Sequence, residues 1–312
     1  MGAYIHLLEV ANLFGLWRLG RLVAWHNVAL QFTGSMVDDD LCSKPSIGST
    51  MLNIYPYKSR RTFASLDRGG GINVDRTYAV KTEAVGKSKG EESPYLLANE
   101  WISSSIAQFL RLPVPPFAIV QKKSKNTAMF ISDSYDGDST PDDAEPQLLY
   151  DNFAKDCTGV VILDILTANC DRHPGNIKVD KPSSPKVFYL IDHERSLFYV
   201  HDKDGIGHLK SREDRLGVTD GDNSANEWHC LVDLLDSVEY INQWVGRVLS
   251  IPDWFIDDVC EEMWKVSINR HECDYVKEFL KRRRDGLGKL ILAHKSRFPK
   301  TSDWPLLLKG PS

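Results

Sequence analysis

The chain has 312 residues, 42% hydrophobic and 26% charged, an ordinary balance for a folded protein of one large or two smaller domains. A formal net charge of −5 argues against general binding to nucleic acid or to an anionic membrane, since both call for a cationic field. Six cysteines, Cys42, Cys157, Cys170, Cys230, Cys260 and Cys273, form no CxxC pair and no zinc-like cluster, and read as reduced thiols of a cytoplasmic protein.

Residues 4–32 are apolar and helix-like, but Glu9, Arg18 and Arg21 interrupt them before the ~20 residues that a membrane span requires. No transmembrane segment or signal peptide is expected there, and the stretch reads as a packing or amphipathic helix. A polar linker over 38–49 closes this extension, placed at residues 1–50.

Three strands are predicted next, in MLNIYPY (51–57), RTFASL (61–66) and TYAVKTE (77–83). The last two are joined by a turn around Gly69-Gly70-Gly71, which could also lie over phosphates. Alternation puts Tyr78 and Val80 on one face of the third strand and Ala79 and Lys81 on the other. A polar loop, GKSKGEES (86–93), follows, and Ser93-Pro94 then signals a helix start. Leu97, Trp101, Ile102, Ser105, Ile106 and Phe109 recur at helical spacing behind it, and the helix carries Glu100. A strand lysine followed by a helix glutamate is the order in which phosphotransferases hold the α- and β-phosphates of a nucleotide. A further strand is read in TAMFISDSY (127–135).

The second half is mostly helical. Apolar spacing over 146–170 predicts a long buried helix running into Asp171. Asp171-Arg172-His173-Pro174-Gly175-Asn176 must be a tight loop, because proline lacks an N–H and glycine admits unusual dihedrals. IKV (177–179) and VFYLID (187–192) then read as a hairpin that delivers Asp192 at its end. γ-Phosphoryl transfer needs a carboxylate beside the attacking hydroxyl and oxygen ligands for Mg²⁺. Asp171 supplies the first, and Asn176 and Asp192 the second. The polar stretch 201–226 reads as a solvated excursion, Ser224/Glu227 and Asn269/Glu272 as N-cap pairs, and the basic run Lys281–Arg284 as a solvated helix face.

The run Asn169-x-Asp171-x-His173-x-x-Asn176 with Ile191-Asp192 resembles the catalytic segment of HipA-like kinases, as does the Leu112-Pro113-Val114-Pro115 junction after the Glu100 helix. Asp171 to Asn176 is also similar to the phosphoinositide-kinase loop. The resemblance implies an α+β, two-lobed protein-kinase-like fold, with a small β-rich N-lobe over 51–134 and a larger, mostly helical C-lobe over 135–312. It implies ATP and Mg²⁺ as cofactors, Lys81 on the phosphates oriented by Glu100, and Met129 and Ser132 in an adenine-facing segment before the hinge. Asp171 is then the base, His173 shapes the loop, and Asn176 and Asp192 are the metal ligands. The implied acceptor is a serine or threonine hydroxyl of a protein, with an antitoxin as a further partner and no direct contact to nucleic acid. A lipid or small-molecule kinase and a non-catalytic nucleotide-binding pseudokinase are the other readings of the same residues.

Overall fold

Four strands form the main sheet of the N-terminal part. They are β1 (Tyr55–Tyr57), β4 (Ala84–Ser88), β5 (Phe117–Lys122) and β6 (Thr127–Asp133), in the order β1-β5-β6-β4. β1 runs parallel to β5 and the other pairs are antiparallel. β2 (Arg61–Phe63) and β3 (Val74–Arg76) make a separate antiparallel ladder. The computed structural model describes residues 55–57, 61–63, 74–76, 84–88, 93–122, 127–133, 142–198, 203–218, 229–302 and 304. The 1–50 extension, the triple glycine, Lys81, the Ser224/Glu227 pair and the hinge after β6 lie outside these residues.

Two strands differ from expectation. β3 takes Val74–Arg76 from the stretch read as a turn. β4 takes Gly86, Lys87 and Ser88 from the stretch read as a polar loop, pairing them with Ile131, Phe130 and Met129. Local propensity disfavours a strand there, and the cross-strand partners on β6 override it. Gly86 fits because a Cβ at that position would lie 2.4 Å from Met129 Sδ.

α1 (Leu96–Phe109) follows the Ser93-Pro94 turn and is buried almost all round. Trp101 meets Phe117 edge-on at 5.4 Å, and Phe117 stacks on Phe130 at 5.6 Å. Phe117 and Phe130 alternate onto the face of the sheet that also carries Lys87, so α1 covers that face.

α2 (Pro146–Leu166) opens with Pro146 in its first turn and with the Glu145 side chain accepting from the Gln147 and Leu148 N–H groups. It bends at Phe153, whose φ of −137° and ψ of 38° are non-helical. From Cys157 to Leu166 every residue is buried, which is the signature of a helix at the centre of a core. Its far end leads into a three-stranded antiparallel sheet of β7 (Asp142–Asp143), β8 (Ile177–Val179) and β9 (Phe188–Leu190). The hairpin keeps the expected strands, with Ile177 opposite Leu190.

α3 (Gly205–Ser211), α4 (Val238–Leu249), α5 (Asp253–Trp264) and α6 (Arg270–Ala293) complete the C-terminal part. α6 starts with the predicted Asn269/Glu272 capping box. α3 corrects the solvated reading of 201–226 over residues 203–218, because Leu209 and Gly205 are buried against the core; 201–202 and 219–226 lie outside the described residues. The basic run is corrected at Arg283 and Arg284, while Arg282 stays 52% exposed. Arg283 is buried and donates to the carbonyls of Ile165, Arg212, Arg215 and Leu216. Arg284 donates to the Ile251 carbonyl and pairs with Asp253. A guanidinium carries five donors in a fixed fork and can satisfy carbonyls that a helix end leaves open. Among the described residues no helix is long and apolar enough to cross a membrane.

Gly159 and Gly246 provide opposite tests of this packing. A Cβ at Gly159 would lie 2.4 Å from the Trp244 ring, whereas at Gly246 it would meet nothing within 4 Å. Gly159→Ala should therefore destabilise the protein by about 1–3 kcal/mol through overpacking. Gly246→Ala should stabilise it by about 0.5–1 kcal/mol through helix propensity. Urea unfolding of the two variants beside the wild type reads both signs.

Candidate active site

Residues 167–176 form the loop that leaves α2. Asn169 fastens its start: the side-chain Nδ2 donates to Asp164 Oδ1 at 3.0 Å, and Oδ1 accepts from the Asp171 N–H at 3.1 Å. The Asp171 carbonyl is held in turn by Asn176 Nδ2 at 2.8 Å and by the His173 N–H at 2.9 Å. His173 closes the Pro174–Asn176 turn by accepting from the Gly175 N–H at 3.1 Å. Asp171 and Asn176 are thus one hydrogen-bonded unit on the expected loop. The Asp171 side chain remains 18% exposed, with Arg195 Nε 3.6 Å away. Burial raises its pKa despite that positive neighbour.

Beneath the loop lies a buried ion pair. Arg172 and Asp164 are both fully enclosed, with Nε to Oδ2 at 2.8 Å and Nη2 to Oδ1 at 3.1 Å. Arg172 Nη1 also donates to the Asn176 carbonyl at 3.0 Å and the Ile191 carbonyl at 2.7 Å. One guanidinium therefore fixes the distance between the Asp171–Asn176 loop and the strand exit that carries Asp192. His229 adds a second partner to Asp164, Nε2 to Oδ2 at 3.1 Å, while its Nδ1 accepts from the Leu231 N–H. That acceptor role assigns the ring proton to Nε2, which donates to Asp164. Burial alone would raise the Asp164 pKa, but Arg172 and His229 outweigh it and hold the carboxyl well below the usual range.

Asp192 follows β9 in a left-handed conformation, φ 58°, which an aspartate adopts at a cost of about 1–2 kcal/mol. Its Oδ1 lies 2.6 Å from Lys87 Nζ, and the same ammonium lies 2.6 Å from Glu100 Oε1 and 3.7 Å from Glu194 Oε2. Burial would lower the Lys87 pKa, but the three carboxylates raise it. Burial pushes Glu100 up, and together with the Asp192 charge it pushes Glu194 up to about 7. Asp192 is held low, because Lys87 outweighs the effect of its burial.

Glu100, Asp171, His173, Asn176 and Asp192 are brought to one region, as expected. The lysine that meets Glu100 is Lys87. Flanked by Gly86 and Ser88, it carries no strand signal of its own, and only the strand-then-helix order could have pointed to it. Ser132 pairs with Val85 and Phe117, on the Lys87 face of the sheet, whereas Met129 pairs with Ser88 and Val120 on the opposite face. The alternation thus separates the two residues expected to face adenine. Asp164, Arg172, Glu194 and His229 carry no local motif.

Three carboxylates face one ammonium, with the Arg172 and Arg195 guanidinium groups as further cations acting on Asp192 and Glu194. Asn176, 4% exposed, donates its Nδ2 to Asp171 and has no hydrogen bond to Oδ1 from any described residue. An amide oxygen without a hydrogen bond from any described residue, in one site with carboxylates, is a donor set suited to a hard divalent cation.

An α+β, two-lobed protein-kinase-like fold with a lysine–glutamate pair and an Asp-x4-Asn loop defines a kinase, a phosphotransferase. The family model for phosphatidylinositol 3- and 4-kinases matches residues 47–211, more than half of the chain, and the chain belongs to that family. Among solved structures it is similar to the proinflammatory kinase CtkA of Helicobacter pylori, at 14% identity and a TM-score of 0.51, over 80% of this chain and 96% of that one. It is also similar to HipA of Shewanella oneidensis MR-1, solved with HipB and operator DNA, at 12% identity and a TM-score of 0.36, over 92% of this chain and 73% of that one. No curated protein matches the chain.

Asp164→Asn should cost about 3–5 kcal/mol at neutral pH, since it leaves Arg172 buried without its counter-charge. The folded-state pKa of Asp164 is depressed, so its contribution is present above the unfolded value of about 3.9 and is lost as pH falls below it. The stability gap between wild type and Asp164→Asn should therefore narrow below about pH 4, which denaturant melts across a pH series would show.

Proposed function

We propose that this protein transfers the γ-phosphoryl group of ATP, with Mg²⁺, to a serine or threonine hydroxyl of a protein. The observation that carries the reading is Lys87 Nζ at 2.6 Å from both Glu100 on α1 and Asp192 beyond β9, next to the Asp171–Asn176 loop. In this reading Lys87 binds the α- and β-phosphates and Glu100 holds it there. Asp171 orients the acceptor hydroxyl and takes its proton, and Arg195 keeps the carboxylate in place. Asn176 and Asp192 are the residues that would hold Mg²⁺, which when bound neutralises charge on the phosphates. Lys81 has a part only if both lysines reach the nucleotide, which the Lys87 contacts do not require.

An inositol lipid is the second acceptor, and membership of the phosphatidylinositol 3- and 4-kinase family supports it. The protein acceptor is favoured by the net charge of −5, which disfavours approach to an anionic membrane surface. The likeness to HipA carries no argument at its TM-score, so an antitoxin partner gains no support from it.

Labelled ATP offered with Mg²⁺ to the protein alone, to a proteome extract and to phosphatidylinositol vesicles tests the reading. Asp171→Asn should keep Mg²⁺-ATP binding and lose transfer by about 10²–10⁴-fold, and Lys87→Met should weaken ATP binding. Label on serine or threonine supports the first acceptor, and label confined to lipid replaces it with the second. Binding without transfer to any acceptor, indistinguishable from Asp171→Asn, would mean a non-catalytic nucleotide-binding module.

A further inference from the structure

Glu194 has no part in the roles above, yet its carboxylate converges on the same ammonium as Asp192 and Glu100, 3.7 Å from Lys87 Nζ. The convergence is built in. The Glu194 carbonyl accepts from Asn99 Nδ2 on α1 at 2.6 Å. Two residues on, Ser196 Oγ donates to the His193 carbonyl at 2.7 Å and accepts from Ser103 of α1 at 2.8 Å. The segment is held from both ends, and the Glu194 side chain, 26% exposed, has its direction set by a fixed backbone.

An ion pair with Lys87 does not account for this placement. Lys87 already meets two carboxylates at 2.6 Å, so the more distant third adds repulsion from its neighbours with little attraction of its own. Like charges gathered in a half-enclosed site are tolerated when a multivalent cation joins them. Asn176, 4% exposed as a residue, leaves its Oδ1 without a hydrogen bond from any described residue and is a second oxygen donor for the same ligand.

We propose that Glu194 is a third protein oxygen donor to the divalent cation, acting with Asn176 and Asp192. The inference rests on the kinase reading of the site. It assigns Glu194 two successive contacts: Lys87 before nucleotide enters, and the cation once Lys87 has turned to the phosphates.

Mn²⁺, followed by the paramagnetic resonance of the free ion, is the probe, titrated into each protein with a non-hydrolysable ATP analogue present. Glu194→Gln should weaken Mn²⁺ binding about tenfold, in the same direction as Asp192→Asn, as expected for loss of one charged ligand. Affinity for the analogue without metal should be unchanged or tighter, because a competitor for Lys87 is gone. Glu194→Asp, which keeps the charge and shortens the reach, should fall between Gln and wild type, and it decides the question if Glu194→Gln does not fold. Wild-type Mn²⁺ affinity in the folded Glu194 variants, with Asp192→Asn weakened, would overturn the role of Glu194 and leave the kinase reading standing. Wild-type affinity in Asp192→Asn as well would remove the metal site itself.

Discussion

The Asp164–Arg172 pair is the constraint on which the rest of the site depends. Two charges with no exposed surface are a poor source of net stability, because removing them from water costs about as much as their attraction returns. Their worth lies in geometry. Arg172 reaches α2 through Asp164 and the Asp171–Asn176 loop and the β9 exit through two carbonyls. It also reaches His193, donating to Nδ1 at 3.1 Å. His193 is held neutral, its pKa lowered to about 3 by burial and by this guanidinium. With His229 on the other side of Asp164, a charge with several distant partners defines a single arrangement, where an apolar cluster of equal volume would allow several.

Above that pair, three carboxylates compete for Lys87. Glu100 and Asp192 approach from different elements, one on a helix and one after a strand, and a single ammonium holds both. The contact keeps the Asp192 carboxylate and the helix glutamate at a fixed separation on either side of one ammonium.

Legibility in the sequence followed the range of the interactions. The Asp171–Asn176 loop, the hairpin behind it and the Asn269 capping box are each specified within a few residues, by proline, glycine, alternation and cap chemistry, and each could be read locally. Lys87 could not, because Gly86-Lys87-Ser88 becomes a strand only through pairing with β6, more than forty residues along. Asp164, Arg172 and His229 span 65 residues of chain, and no spacing announces a buried network of that reach. The basic run was read as solvated because charge runs are commonly so; Arg283 is enclosed by carbonyls from α2 and from the 212–216 turn, partners that a linear reading does not place beside it.

Asn99 stands one residue before Glu100, and its two ends grip the chain beyond Asp192: Nδ2 donates to the Glu194 carbonyl at 2.6 Å, and Oδ1 accepts from the Phe198 N–H at 3.3 Å. One turn further along α1, Ser103 holds Ser196. The helix and the segment are therefore parts of one rigid body. α1 cannot swing outward by itself to part Glu100 from Lys87, nor can the Asp192 segment flip alone, without breaking these buried hydrogen bonds together, each worth about 0.5–1.5 kcal/mol. A compound that needs a cavity opened behind α1 would have to break that set first.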